Sequence, residues 1–331
     1  MHPKSPLAPP QLAEAVEALR RGELVGLPTE TVYGLAADAA NPEAVRRIFA
    51  LKGRPADHPL IVHLGEAAQI DAWARDIPPA ARALAQRFWP GPLTLILRRA
   101  RGVHDAVTGG QDTVGLRVPA HPVALALLKA FGGGLAAPSA NRFGHVSPTT
   151  AQHVREEFGE ALPVVLDGGP CPVGIESTIV DLSSGAPRVL RPGRIGVDQL
   201  EGALGIRLEA GAVAASPRVS GSHDSHYAPR TPAELVAPES LAARCAALAR
   251  EGEVVRVIAL GPLPTDAQGL GLPAQPTEYA RHLYAALRAM DTEGADRILV
   301  QAPPEGEAWA AVRDRLRRAT AANGGMEDDA P

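Results

Sequence analysis

Residues 27–63 read LPTETVYGLAADAANPEAVRRIFALKGRPADHPLIVH, and the rest of the chain is best understood outward from them. A polar turn closed by Gly34 follows the apolar run Leu24–Leu27, so hydroxyl and backbone groups are left at the end of a strand. A helix follows over Pro42–Leu51, with Asn41 placed as its N-cap and Pro42 in its first position. It runs into Lys52-Gly53-Arg54-Pro55, where two cations in a kinked segment can converge on one anion. The strand Leu60–Leu64 then carries His63 near its end. This combination suits a nucleotide together with a small hydroxylated substrate, and packing alone does not call for it.

The same texture extends on both sides. Helices are predicted at Leu12–Arg21 and Pro79–Phe88. Strands are predicted at Leu24–Leu27, Leu93–Arg98, Val114–Val118, Leu135–Ala137, Val164–Leu166, Thr178–Leu182 and Val189–Leu190. Many strands without a strict βαβ rhythm imply an α/β domain with a mixed twisted sheet over residues 11–205. Residues 206–231, rich in Ala, Ser, Pro and Gly, read as a linker or lid. Residues 232–320 have a βαβαβα rhythm: strands at Ala233–Val236, Val254–Leu260 and Arg297–Gln301, helices at Leu241–Arg250, Tyr279–Met290 and Glu307–Thr320. They predict a small Rossmann-like three-layer domain. Gly269–Gly271 reads as a loop, and residues 321–331 as a disordered tail.

The composition narrows the function. The 331 residues are 45% hydrophobic and 21% charged, ordinary for a globular protein, and the net charge of −4 provides no global attraction to nucleic acid. Two cysteines, Cys171 and Cys245, lie far apart, so neither a disulfide framework nor a structural zinc site is expected. Neither GxGxxG nor GxxxxGK[ST] occurs. The start MHPKSPLAPP lacks an apolar segment of signal-peptide length, and no run of about 18 apolar residues exists. The expectation is a cytoplasmic protein with no membrane contact.

Four further segments place hydroxyl, amide or guanidinium groups at strand edges, where α/β sheets open onto ligand crevices. They are Gln111–Pro119, Ala136–Asn141 with Ser147 beyond it, Gly174–Ile179 and Leu190–Arg194. In order, PTETVYG, KGRP, HPLIVH, FWPGPLT, AAPSAN, ESTI and LRPG resemble the YrdC/Sua5 family of threonylcarbamoyl-AMP synthases from about Leu12 to Leu200. The linker with His226-Tyr227-Ala228-Pro229 and the C-terminal unit resemble the two-domain Sua5 form.

The resemblance implies synthesis of threonylcarbamoyl-AMP and pyrophosphate from ATP, L-threonine and bicarbonate or CO2. The product would feed threonylcarbamoyladenosine formation in tRNA through separate threonylcarbamoyl-transferase proteins, so contact with tRNA would be indirect. It implies Lys52 and Arg54 as the catalytic cations, and Arg54, His58, Thr113, Ser139, Asn141, Ser147, Arg191 and Tyr227 on ATP. Thr31, His63, Arg117, Ser177 and the backbone of Ala137 would hold threonine. Mg²⁺ would ride on the ATP phosphates and water, without a protein cage. His58 stands where the family commonly has Asn. Tyr227 would bring the linker over the site as a lid.

Plainer readings stand beside these. Lys52 and Arg54 could be a solvated pair at a helix end, and Ser139 and Asn141 turn residues after Pro138. His63 would by default be a core histidine with a satisfied hydrogen bond. Phe88–Pro92 reads as a packed corner. Glu30 and Glu176 are candidates for acid/base work or for anchoring loops. Cys171 reads as buried and inert, Cys245 as core, and the run Arg313–Arg318 as the solvated face of the last helix. The competing function is an RNA-binding or ribosome-associated module of the same fold. Hydrogenase-maturation carbamoyl transfer would need cysteine-rich zinc fingers that two cysteines cannot build.

Overall fold

Two sheets organise the chain. The computed structural model describes residues 8–213, 216–221 and 226–321. They form two units, one of 8–143 with 148–221 and the other of Gly144–Ser147 with 226–321.

The first unit carries β1 (Val25–Leu27), β2 (Gly34–Asp38), β3 (Ile61–His63), β4 (Leu93–Arg98), β5 (Thr113–Arg117), β6 (Leu135–Ala136), β7 (Thr178–Asp181), β8 (Arg188–Arg191) and β9 (Glu209–Ala210). They pair in the order β1-β2-β6-β3-β5-β4-β7-β8-β9. β3/β5, β4/β7 and β8/β9 are parallel and the other pairs antiparallel, giving the mixed sheet that the sequence implied.

Side chains alternate between the faces of a strand, and here the alternation separates packing from chemistry. Leu60, Val62, Leu64, Leu93, Leu95, Leu97, Val114, Leu116 and Val180 enter one large core. Helices Pro42–Lys52 and Pro79–Phe88 cover that core with Val45, Ile48, Phe49, Ala81 and Leu84. Asn41 caps the first of these by accepting from the N–H groups of Glu43 and Ala44. The intervening positions face the other way. A Cβ on Gly115 would lie 3.2–3.5 Å from Ile96, Ile61 and Thr94, which places those side chains on this second face. Helices Pro9–Arg20 and Pro122–Phe131 pack with β1, Ala36 and Leu135 in a separate cluster.

The predicted strand Val164–Leu166 is absent; Val165 makes only an isolated bridge to Gly26. The helices Pro122–Phe131, Ala151–Phe158 and Val197–Leu204, and strand β2, add to the predicted elements. β9 falls within the expected linker and extends the sheet edge beside β8.

The second unit contains β10 (Ala233–Val236), β11 (Val255–Leu260), β12 (Gly269–Leu272) and β13 (Arg297–Gln301), all parallel, in the order β10-β13-β11-β12. Helices Leu241–Arg250, Pro276–Thr292 and Ala310–Thr320 complete it. Here the sequence reading of Gly269–Gly271 as a loop is overturned. These residues pair with Val257–Ala259, and glycine is what permits it. A Cβ on Gly269 (φ +148°) would sit 1.9 Å from the Val257 carbonyl oxygen, and one on Gly271 2.2 Å from that of Gly261. The last helix also departs from expectation. Arg315 is fully buried, pairs with Asp314 at 2.7 Å and lies over the Tyr227 ring, 5.4 Å from its centroid. The predicted disordered tail lies outside the described residues, apart from residue 321.

Candidate active site

Register brings His63 and Arg117 side by side, because β3 and β5 are parallel and these are partner residues at their ends. Both are buried, 3% and 4% exposed. Arg117 is held on three sides. Nε donates to the Gly91 carbonyl (3.2 Å), Nη1 to Thr31 Oγ1 (2.9 Å), and Nη2 lies 2.7 Å from Glu30 Oε1. That last contact is close but off the N–H direction, an ion pair without hydrogen-bond geometry.

The turn after β1 supplies Glu30 and Thr31. Thr29 Oγ1 holds it by donating to the Val32 carbonyl (2.6 Å), 2.8 Å from Thr31 Oγ1. The carbonyls of Glu30 and Thr31 accept from the N–H groups of Val173 and Gly174. The Phe88–Pro92 segment is a packed corner, with Trp89 Nε1 donating to the Leu93 carbonyl. Its Gly91 is needed: a Cβ there would meet the Phe88 carbonyl oxygen at 2.3 Å. Burial and the neighbouring Arg117 charge push the His63 imidazole down to about 3, so it is neutral across the physiological range. Its Nδ1 has no hydrogen-bond partner among the described residues.

The wall continues through β4 and β7. Thr94 Oγ1 and Ser177 Oγ lie 2.7 Å apart. Arg191 clasps Ser177, Nε on its carbonyl (3.0 Å) and Nη2 on its hydroxyl (3.1 Å), while Nη1 donates to the Ser220 carbonyl (2.8 Å). Ser220 belongs to a stretch, 216–221, that crosses this face. Val219 packs with Ile96 and Ile179, Ser220 Oγ donates to the Pro59 carbonyl, and the Gln111 amide exchanges two hydrogen bonds with the Arg218 main chain.

A second group gathers where helix Pro42–Lys52 ends. Gly53, left-handed at φ +64°, terminates the helix, and Lys52 turns inward. Its ammonium donates to the carbonyls of Ser139 and Asn141, each at 2.5 Å. Burial first, then Arg54, holds its pKa well below the usual lysine value. The solvated-pair reading therefore fails for Lys52, which is 3% exposed, whereas Arg54 is half-buried and donates to the Pro59 carbonyl. The His58 ring stands 5.5 Å from that of Phe143. Thr113 opens β5. The Ala137 N–H donates to the Ile61 carbonyl at 3.1 Å, and Ser139 bridges to Gly34.

Direct contacts thus join Thr31 to Arg117 and Ser177 to Arg191, with His63 beside Arg117; another set joins Lys52, Ser139 and Asn141. Ser147 and Tyr227 belong to the second unit. There Ser147 is fully buried, and Tyr227 stacks on Tyr284 (5.6 Å) with His226 edge-on (4.1 Å). Cys171 is buried, which raises its thiol pKa, and Cys245 is half-buried. Sequence reasoning missed Thr94; it expected the 206–231 segment to cover the site as a lid, but did not single out Val219, which packs on Ile96 and Ile179. Among the described residues no group of three or more His, Cys, Asp or Glu is placed to hold a metal ion, and no helix is long and apolar enough to cross a membrane.

Comparison with known proteins adds to this geometry. The family model for Sua5, YciO and YrdC, described as telomere recombination, matches residues 17–193. A second, described as the threonylcarbamoyl-AMP synthase C-terminal domain, matches residues 195–321. Threonylcarbamoyl-AMP synthase of Pyrococcus abyssi is 42% identical over 91% of this chain and 92% of its own length. That of Bacillus subtilis is 38% identical over 94% and 93%. The crystal structure of P. abyssi Sua5 complexed with L-threonine superposes with a TM-score of 0.87 at 40% identity, covering 93% of this chain and 94% of that one.

Proposed function

The chain belongs to the Sua5/YrdC family of threonylcarbamoyl-AMP synthases, and on that premise we propose that it condenses ATP, L-threonine and bicarbonate or CO2 into threonylcarbamoyl-AMP and pyrophosphate. The observation that carries this reading is the buried Arg117, set beside neutral His63 and the Thr31 hydroxyl on one sheet face, with Ser177 and a second guanidinium, Arg191, on the same wall. A planar guanidinium matches a carboxylate, and a neighbouring hydroxyl and neutral imidazole suit a small hydroxylated amino acid.

In this assignment Thr31, His63, Arg117, Ser177 and the backbone of Ala137 hold threonine. Arg54, His58, Thr113, Ser139, Asn141 and Arg191 hold the nucleotide. Lys52 fixes the Ser139–Asn141 loop with two of its three N–H donors and keeps a third. The threonine amine attacks the carbon of CO2, releasing a proton, or of bicarbonate, releasing water, to form the carbamate; the carbamate oxygen then attacks the α-phosphorus, and pyrophosphate leaves. AMP is transferred, so the enzyme is a nucleotidyltransferase. Alignment and neutralised phosphate charge supply the catalysis rather than a nucleophilic side chain. Mg²⁺ arrives on the triphosphate. The 216–221 crossing, seated over the sheet face, shields the short-lived carbamate from water. Threonylcarbamoyl-transferase proteins then carry the group to tRNA.

The test is pyrophosphate release from MgATP with threonine and bicarbonate each present or omitted. Release that needs both supports the reading. Release with threonine alone means aminoacyl adenylation, and no release, with salt-sensitive RNA affinity, means an RNA-binding module.

A further inference from the structure

Glu30 is the anomaly of the site. The residue is 6% exposed and both carboxylate oxygens are buried, yet neither receives a hydrogen bond from the described residues. A carboxylate offers about four acceptor positions, and buried ones are ordinarily filled. Its counter-ion is Arg117, whose other two nitrogens rest on neutral acceptors, the Gly91 carbonyl and the Thr31 hydroxyl. Among the described residues, the neighbouring His121 and Cys171 add no second cation. His121 accepts the Val123 N–H at Nδ1 and directs Nε2 to the Gly168 carbonyl, the arrangement of a neutral ring. The Cys171 thiol is fully buried.

One buried positive group and one buried negative group therefore stand together on the wall assigned to threonine. That is the complement of a zwitterion. We propose that Glu30 receives the ammonium group of the amino-acid substrate while Arg117 takes its carboxylate. The substrate exchanges one internal ion pair for two external ones, and one or two of its N–H donors fill acceptor positions left open on Glu30. This assignment rests on the threonine reading of the site and adds a residue to it: the hydroxyls and His63 read the side chain, whereas Glu30 reads the α-amine. It also sets the nitrogen against a carboxylate that can take the proton the ammonium must lose before the amine attacks to form the carbamate.

The test compares L-threonine with (R)-3-hydroxybutyrate, which is threonine without its amine, by titration calorimetry on the full chain. The wild-type protein should prefer threonine by about tenfold or more, the worth of a charge-assisted contact. Glu30→Gln should lower threonine affinity by about tenfold or more and leave 3-hydroxybutyrate within about twofold. Equal weakening of both ligands would mean that Glu30 only braces Arg117, and would overturn the proposal. So would a wild-type protein that binds threonine and 3-hydroxybutyrate alike. If Glu30→Gln fails to fold, Glu30→Asp decides by the same criterion, loss confined to threonine against loss of both. A wild-type protein that binds no threonine refutes the substrate reading itself, an outcome separate from the others.

Discussion

Gln111 and Arg218 are joined as two strand residues would be: the Gln111 Oε1 accepts the Arg218 N–H at 2.7 Å, and its Nε2 donates to the Arg218 carbonyl at 3.1 Å. A side-chain amide thus substitutes for a neighbouring strand and pins the 216–221 crossing to the mouth of β5. Arg218 adds a bond from Nη2 to the Gly109 carbonyl at 3.0 Å. Gln111→Ala should release this segment without unfolding the sheet. Loss of these two hydrogen bonds, about 1 kcal/mol each, should speed exchange of the Arg218 amide by about thirtyfold. Unchanged exchange there would show that Val219 and Ser220 suffice to hold the crossing.

Lys52 contributes as a brace as well as a charge. Lys52→Met keeps the aliphatic stem but leaves the Ser139 and Asn141 carbonyls without their donor. Although the ammonium is costly to bury, unsatisfied buried acceptors cost about 1–3 kcal/mol each. We expect a loss of about 2 kcal/mol or more in urea unfolding, together with loss of pyrophosphate release. Retained activity in a destabilised variant would confine Lys52 to the structural role.

His63 makes stability depend on pH with a definite sign. Its folded pKa, about 3, lies below the ordinary value of 6.5. Between these the unfolded chain binds the proton that the folded protein refuses. Its contribution is therefore intact above pH 6.5 and is lost as pH falls toward 3, at about 1.4 kcal/mol per pH unit for one proton. His63→Gln should remove about one proton from the slope of unfolding free energy between pH 6 and 4. An unaltered slope would place the imidazole in a more solvated setting than its burial implies.

Gly269→Ala tests the second sheet. The new methyl would meet the Val257 carbonyl oxygen at a backbone angle that L-residues avoid, so β12 should detach from β11. A cost of about 3 kcal/mol or more is expected, read as loss of amide protection across Gly269–Leu272. Full protection in the variant would refute the need for glycine.

Much of this arrangement was legible in the residues. Proline at a first helical position and Asn41 as a cap marked helix starts that the structure reproduces, and Pro79–Phe88 and Leu93–Arg98 fall where their apolar periodicity placed them. β2 was not legible, because Gly-Leu-Ala-Ala-Asp is buried almost throughout and shows no alternation. The helix Pro122–Phe131 is similarly rich in apolar residues, which blurs its period. Arg315 was misread from its charged neighbours, since only tertiary packing puts a guanidinium over Tyr227. In the site, the residue types that bear charge or hydroxyl could be listed from sequence. Their pairings could not: Arg117 meets Glu30, and Arg191 meets Ser220, across long stretches of chain.

The alternation of the central strands sets a rule for how this protein can change. Ile61 and His63, Thr113, Gly115 and Arg117, Ser177 and Ile179 share odd positions, while Val62, Val114, Leu116 and Val180 enter the apolar core from even ones. A single-residue insertion or deletion within β3, β5 or β7 would reverse that parity beyond it, swinging Arg117 or His63 under the helices and leucines out to the substrate. Descendants of this sequence can lengthen their loops and exchange one leucine for another. They can gain or lose residues inside those strands only in pairs.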